Sequence, residues 1–486
     1  MSTPNPPIHE KIPQELMSEI FCDVYGSEEY KYRPIPITLG LVCKAWRNIT
    51  LATAALWTSI KVTKPCPERV ETASTWLRRS KAHSCEVKIW PGGLPSDSPT
   101  SLLDILLPII SRLHTLHLRA SPTMLTNFIE TQPLQMPRLQ ELTIRHPSWG
   151  VRSTSIPFTP PPDAFAQCTS LRRLDIWYGH SMGLLRDPVT IFPWALLTTL
   201  ELHDPIDMPA DNALQIFCLA INLVNCRLTI PGWMQPPAIS LVPCQHRFLA
   251  SFRVTFCGGA ISPFFIPIEK LPALTMIDVD WMGCAGDVAR MIWDLHCAQP
   301  FKHLRNFHLS NMPMDCGHIL EVIRATPTID HLYLNNCYIL DDDFLSSFIV
   351  SRHRPLLLPH LLSFYIAERS LTDLKDETIV KFVKSRWAGG VQGRIKRRGA
   401  WMAQIVFVLI DDKRTVTETV LEELRVIKEG GLRLTVPGLE DKSSEEEDEG
   451  DDDEDEEEGE EGEEDQDNDK QGEGEDQNGD NAEEEG

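Results

Sequence analysis

From residue 113 onward the apolar positions fall into a repeated phrase, L-x-x-L-x-L with conservative substitutions. It occurs at Leu113/Leu116/Leu118, Leu139/Leu142/Ile144, Leu171/Leu174/Ile176, Leu197/Leu200/Leu202, Leu223/Cys226/Leu228, Leu249/Phe252/Val254, Leu274/Ile277/Val279, Leu304/Phe307/Leu309, Ile329/Leu332/Leu334 and Leu361/Phe364/Ile366. The first positions step by 26, 32, 26, 26, 26, 25, 30, 25 and 32 residues. A regular step of this size marks a structural repeat in which each unit buries its apolar edge on the next. Alternation inside the phrase predicts a short strand, with the leucines pointing to one side and the intervening residues to the other. Weaker copies flank the run at Val87/Ile89, Met402/Ile405/Phe407 and Leu432/Leu434.

Ahead of the repeats the period changes to that of helices. Pro13 suits a first helical turn, and Leu16, Ile20 and Phe21 then form an apolar stripe against Glu15, Ser18 and Glu19. Leu39, Val42, Cys43 and Trp46 predict a second amphipathic helix, and Leu56 and Trp57 close the unit. So small a segment buries too little surface to be stable alone, which suits a docking element. Val70, Ala73, Trp76 and Leu77 predict a joining helix within 61–83. Beyond the repeats, a helix around 382–387, a basic loop GRIKRRG, a strand over 405–410 and a helix near 420–428 stopped by Gly430 and Gly431 read as a cap.

Two resemblances follow from these residues. Ile12-Pro13-x-Glu15-Leu16, Ile20-Phe21, Leu41-Val42-Cys43-Lys44-x-Trp46-Arg47 and Leu56-Trp57 resemble the F-box in order and register. The first residue is Ile12 where leucine is usual, and the loop from Cys22 to Pro36 is long, as in fungal members of that family. The repeated phrase resembles the degenerate leucine-rich repeats found beside F-boxes. The Asn or Cys usual three residues after the last strand leucine is matched only by Cys257 and Cys337.

The fold class expected is therefore α+β / α/β. A disordered lead-in (1–11) precedes a three-helix F-box (12–60), a linker helix (61–83), an irregular leucine-rich-repeat-like solenoid (84–376), C-terminal repeats with a cap (377–439) and a disordered acidic tail (440–486). The resemblance implies a non-catalytic receptor subunit of an SCF-type ubiquitin ligase that binds the adaptor subunit, and through it cullin, while the repeats hold a protein target. The adaptor-binding residues it implies are Pro13, Glu15, Leu16, Ile20, Phe21, Leu39, Val42, Cys43, Trp46, Arg47, Leu56 and Trp57.

The residues between the strand leucines form a polar and aromatic ladder, the composition that protein-recognition surfaces favour. His117, Arg145, Asp175, Trp177, Glu201, Arg227, Arg253, Asp278, His308, Tyr333 and Tyr365 are the expected target contacts, with Arg119, Thr143, His203 and Asp280 on the same ladder.

Charge changes this picture only at one end. Residues 440–486 hold 29 Asp or Glu against Lys442 and Lys470, a net −27 within a chain of −24, so the remainder is near +3. A near-neutral body carries no nucleic-acid footprint, and the acidic stretch cannot build a core. Ser443 and Ser444 lie beside its acidic run. Thirteen scattered cysteines without a CxxC pair predict reduced thiols in the cytoplasm or nucleus. No secretory h-region or membrane span is predicted, and Lys396, Arg397 and Arg398 read as a solvated loop.

Phosphate-loop, HExxH, GxSxG and dinucleotide fingerprints are all absent from the sequence. His114 and His117 would point to opposite strand faces, so no metal ligand set is expected and no cofactor. Two further readings stay open at this level: a scaffold that uses the same N-terminal segment outside a ligase, and a binder of basic, histone-like proteins through the acidic tail.

Overall fold

The computed structural model divides into two units, Met1–Glu440 and Asp441–Gly486. The residues described are 12–26, 35–63, 67–90, 105–119, 125, 135–145, 165–177, 191–203, 210–231, 244–257, 268–281, 301–312, 316–337, 341–351, 355–367, 374–387, 394–397, 400–403, 405, 407–411, 416–436 and 439. The expectations for 1–11 and 440–486 lie outside them.

Fourteen parallel strands form one sheet in chain order. They are β1 (Ser59–Val62), β2 (Cys85–Ile89), β3 (Leu113–Arg119), β4 (Glu141–Arg145), β5 (Arg173–Trp177), β6 (Thr199–His203), β7 (Asn225–Pro231), β8 (Ser251–Cys257), β9 (Met276–Trp281), β10 (Asn306–Ser310), β11 (His331–Asn335), β12 (Ser363–Ala367), β13 (Phe407–Asp411) and β14 (Arg433–Thr435). The helices are α1 (Gln14–Gly26), α2 (Ile35–Val42), α3 (Lys44–Ala52), α4 (Pro67–Arg79), α5 (Ala210–Leu219), α6 (Cys316–Ala325), α7 (Asp342–Ser347), α8 (Asp376–Arg386) and α9 (Glu418–Glu429). Each phrase leucine is buried, and each strand pairs with the next in matched register, Leu142 to Leu174 to Leu200 to Cys226.

This α/β architecture corrects the expected plan of a three-helix F-box followed by a leucine-rich-repeat-like solenoid. One continuous sheet runs from residue 59 to 435, and β1 begins two residues after the helical turn Ala54–Trp57. The N-terminal helices do not close a core of their own. Met17, Phe21, Tyr25, Ile49, Leu56 and Trp57 share one cluster with Trp76 of α4. Tyr25 Oη and Trp76 Nε1 both donate to the Ser59 carbonyl, at 3.0 and 3.1 Å. Three short helices expose most of what they carry, so the sheet edge and its first crossover helix complete their packing.

Local expectations shift for identifiable reasons. The predicted second helix is two, because Cys43 is extended (φ −157°, ψ 170°) and its thiol accepts the Trp46 N–H as the cap of α3. The stretch 61–83 begins inside β1 before α4, and Arg394–Arg397, read as a loop, is a strand paired antiparallel with Ala400–Ala403. Gly431 takes a left-handed φ of 98° after α9.

The core contains a histidine that apolar periodicity does not call for. His246 is fully buried against the Phe217 ring (centroids 4.0 Å apart), and neither ring nitrogen has a hydrogen-bond partner among the described residues. Burial pulls its pKa down to about 4. In the unfolded chain the imidazole protonates below about 6.5, so the folded state binds fewer protons between those values. The stability associated with the neutral ring is complete above pH 6.5 and is lost as pH falls toward 4, a change of up to about 3 kcal/mol. Urea unfolding at pH 7 and pH 4.5 should show this loss in the native sequence and a smaller one in His246→Phe. An equal loss in the variant would place the acid sensitivity elsewhere.

Candidate functional site

The N-terminal candidates separate into two sets. Phe21, Leu56 and Trp57 are buried, Leu39, Cys43 and Trp46 are half-buried, and Pro13, Glu15, Leu16, Ile20, Val42 and Arg47 are exposed. The inward set is held by specific contacts. Phe21 meets Trp46 at 4.9 Å and Trp57 Nε1 donates to the Thr50 carbonyl at 2.9 Å, while the exposed Arg47 donates from Nε to the Gly40 carbonyl at 2.9 Å.

The outward set belongs to a larger apolar surface. Thirteen large apolar side chains are exposed among the described residues, and seven lie between 16 and 51: Leu16, Ile20, Val24, Ile37, Leu41, Val42 and Leu51. On α1 the spacing explains the division. Met17, Phe21 and Tyr25 recur every four residues and face the core, while Leu16, Ile20 and Val24 follow the same period one position earlier and stay in solvent. Val24, Ile37 and Leu51 lie outside the motif, and Leu41 belongs to it but was not among the adaptor-binding residues it implied. The neighbouring stripe on α1 was readable as a second i, i+4, i+8 series.

On the sheet, register brings nine of the eleven expected target contacts into one row. His117 pairs with Thr143, then follow Asp175, Glu201, Arg227, Arg253, Asp278, His308, Tyr333 and Tyr365, each opposite the next. With strands about 4.8 Å apart, the ten strands from β3 to β12 give a row roughly 43 Å long. Arg145 and Trp177 sit opposite each other in the adjacent row, which continues to His203. Arg227 and Arg253 are exposed, Asp175, Thr143 and His203 are buried, and the others are half-buried.

The row is electrostatically structured. Near β8 to β12, Arg253 Nε lies 3.8 Å from Asp278 Oδ2, and the His308 and Tyr333 rings are 4.2 Å apart, with Tyr365 stacked on Tyr333 at 5.5 Å. Burial, then Arg253 and His331, lower the His308 pKa to about 4, and burial raises that of Asp278. Around β4 to β6, Arg145 Nη2 donates to Asp175 Oδ2 at 3.2 Å and its guanidinium lies 4.7 Å over Trp177. Trp177 stacks on His203 at 3.7 Å, and Arg173 contacts Glu201 Oε1 at 3.0 Å and Glu141 at 3.4 Å.

At that end Asp175, Glu201 and His203 bring one ligand atom each within 4.8 Å of one another. Burial raises the Asp175 pKa against the pull of Arg145, and the hydrogen bond from His203 lowers that of Glu201. This constellation was not among the expected sites. Its signals in sequence are Glu201-x-His203 on one strand face and Asp175 at the position matching Glu201 one phrase earlier, a juxtaposition visible only once the register is known.

No family model matches the chain, and no curated protein matches it. No helix among the described residues is long and apolar enough to cross a membrane.

Proposed function

We propose that the protein is a substrate-recognition subunit of an SCF-type ubiquitin ligase. The N-terminal segment, whose residues resemble the F-box, docks on the adaptor, and the row on the parallel sheet binds a protein target. The observation that carries this reading is the concentration of exposed apolar side chains on α1 to α3, the segment whose inward residues join a buried cluster containing Phe21, Tyr25, Trp57 and Trp76. Exposed apolar surface of this density is characteristic of an interface. Buried aromatics under it supply the rigidity that a docking surface needs. On the sheet, Arg227 and Arg253 stand in adjacent strands with the half-buried tyrosine pair further along the same row, a mixture suited to a partly acidic peptide or protein surface. The protein itself performs no bond chemistry in this scheme; it raises the effective concentration of a target beside another subunit's active centre.

Leu16→Glu combined with Ile20→Glu tests the proposal, because both side chains are about half exposed and contribute little to the core. Capture of the purified adaptor should fall at least 100-fold while the urea midpoint stays within error. Adaptor capture at native strength by the double variant would overturn the assignment. A native chain that does not bind the adaptor would overturn it as well.

A further inference from the structure

The cluster at β5 and β6 contains more unmet polar capacity than an ion-pair network explains. Asp175 is 5% exposed and His203 6%, yet Asp175 Oδ1 finds no hydrogen-bond partner among the described residues. It is aimed at His203 Nε2, 3.8 Å away, too long for a hydrogen bond. Buried acceptors left unsatisfied are rare in folded proteins, and a bound ion is one of the few things that accounts for them.

The ligand types, with two of their separations, point to the kind of ion. A tetrahedral centre with bonds of about 2.0–2.1 Å holds its ligand atoms about 3.3–3.4 Å apart. His203 Nε2 stands 3.4 Å from Glu201 Oε2 and 3.8 Å from Asp175 Oδ1. An imidazole with two carboxylates suits zinc-type cations, whereas calcium and magnesium call for oxygen ligands alone. The remaining oxygens are already committed: Arg145 holds Asp175 Oδ2 and Arg173 holds Glu201 Oε1. Such outer contacts orient ligating carboxylates, and the stacked Trp177 fixes the His203 ring plane. The same guanidiniums oppose a cation, so the site should bind more weakly than a four-ligand structural zinc site.

We propose that Asp175, Glu201 and His203 form a three-ligand site for a divalent transition cation of the zinc type, its fourth position left to water. Binding displaces the hydrogen that His203 Nε2 shares with Glu201 Oε2, and the neutral imidazole then carries its hydrogen on Nδ1. The site is independent of adaptor docking, which involves none of these residues.

Cobalt(II) titration of the full chain in excess magnesium, which occupies carboxylate-only sites, tests the proposal. The native chain should take up cobalt at one site whose visible absorption lacks the intense near-ultraviolet band of thiolate ligation. The Trp177 ring in contact with His203 should be quenched, so part of the fluorescence loss should vanish in Trp177→Phe. His203→Gln should weaken cobalt binding at least 10-fold, and the half-exposed Glu201→Gln does the same if the first variant fails to fold. Adaptor capture should be unchanged in either. Cobalt binding equal to the native chain's in a folded variant, or no cobalt binding above that of the variants, would leave the cluster a metal-free ion-pair network and end the proposal.

Discussion

Arg386→Met should destabilise the fold by about 3–5 kcal/mol, the largest effect expected of any charged side chain among the described residues. Arg386 closes α8 and is fully buried. Its guanidinium donates to the carbonyls of Phe348, Leu358 and Leu357, at 2.9, 3.0 and 2.5 Å. It thereby ties the end of α7, the approach to β12 and α8 together. Two effects oppose each other in the substitution. Burial holds the guanidinium at about 10, below its usual 12.5, a penalty of about 3 kcal/mol at 1.36 kcal/mol per unit that methionine would relieve. Against this, three buried carbonyls lose their donor at about 1–3 kcal/mol each. Leu358 also sits at φ 45°, a strained conformation for leucine that costs of order 1–3 kcal/mol and persists only where its surroundings hold it. The losses exceed the relief. Arg386→Lys should recover little, because a single ammonium cannot serve three carbonyls from one fork. Urea unfolding of the three proteins checks this: Arg386→Met within about 1 kcal/mol of the native chain would show that the turn holds itself and that the carbonyls find other donors.

The parts of this fold that were legible are those governed by local alternation. Each of the ten phrases lies on a strand because its leucines supply a buried face every second residue, and equal phrases pair in equal register. The row from His117 to Tyr365 follows from that, since each residue holds the same place in its phrase. What was not legible depends on contacts between distant segments. Nothing in residues 12–60 announces that Trp76 completes their core, so the apolar surface they lack partners for points only to an external partner, and the overall plan was misjudged. Cys43 looked like one more apolar position of a helix, although its thiol caps a new one. Arg386 stands at a helix end, where basic residues ordinarily complement the dipole from solvent, and no local pattern marks it as buried. It is buried because two loops fold over it.

The same distinction separates the residues of the candidate adaptor surface. Asp175, Glu201 and His203 became a group only through the register of β5 and β6, just as Leu16 and Ile20 became a surface only when Met17, Phe21 and Tyr25 took the inward side of α1. Residues in the F-box-like motif therefore fall into those that present the surface and those that build its support, and the two kinds should fail differently when changed.

Trp57→Ala tests the supporting kind and should cost about 3–5 kcal/mol. The ring is 2% exposed, meets Trp76 edge-on at 4.7 Å, lies under the Arg79 guanidinium at 4.5 Å and donates to the Thr50 carbonyl. Truncation removes one of the largest apolar contacts in the cluster, leaves a cavity between α3 and α4, and orphans that carbonyl. Because Trp76 and Tyr25 both bond to the Ser59 carbonyl, the loss should reach the sheet edge at β1 as well as the helices. Amide hydrogen exchange should rise together in α1, α3, α4 and β1, and remain native in β9 to β12, where the core makes no contact with this cluster. Adaptor capture should weaken only as far as the segment unfolds and should recover on cooling or with a stabilising cosolvent, unlike capture by Leu16→Glu with Ile20→Glu, which loses the contact surface itself. Faster exchange confined to α1–α3, with α4 and β1 unaffected, would mean that the N-terminal helices fold on their own and that their shared core with the sheet carries little of the stability assigned to it.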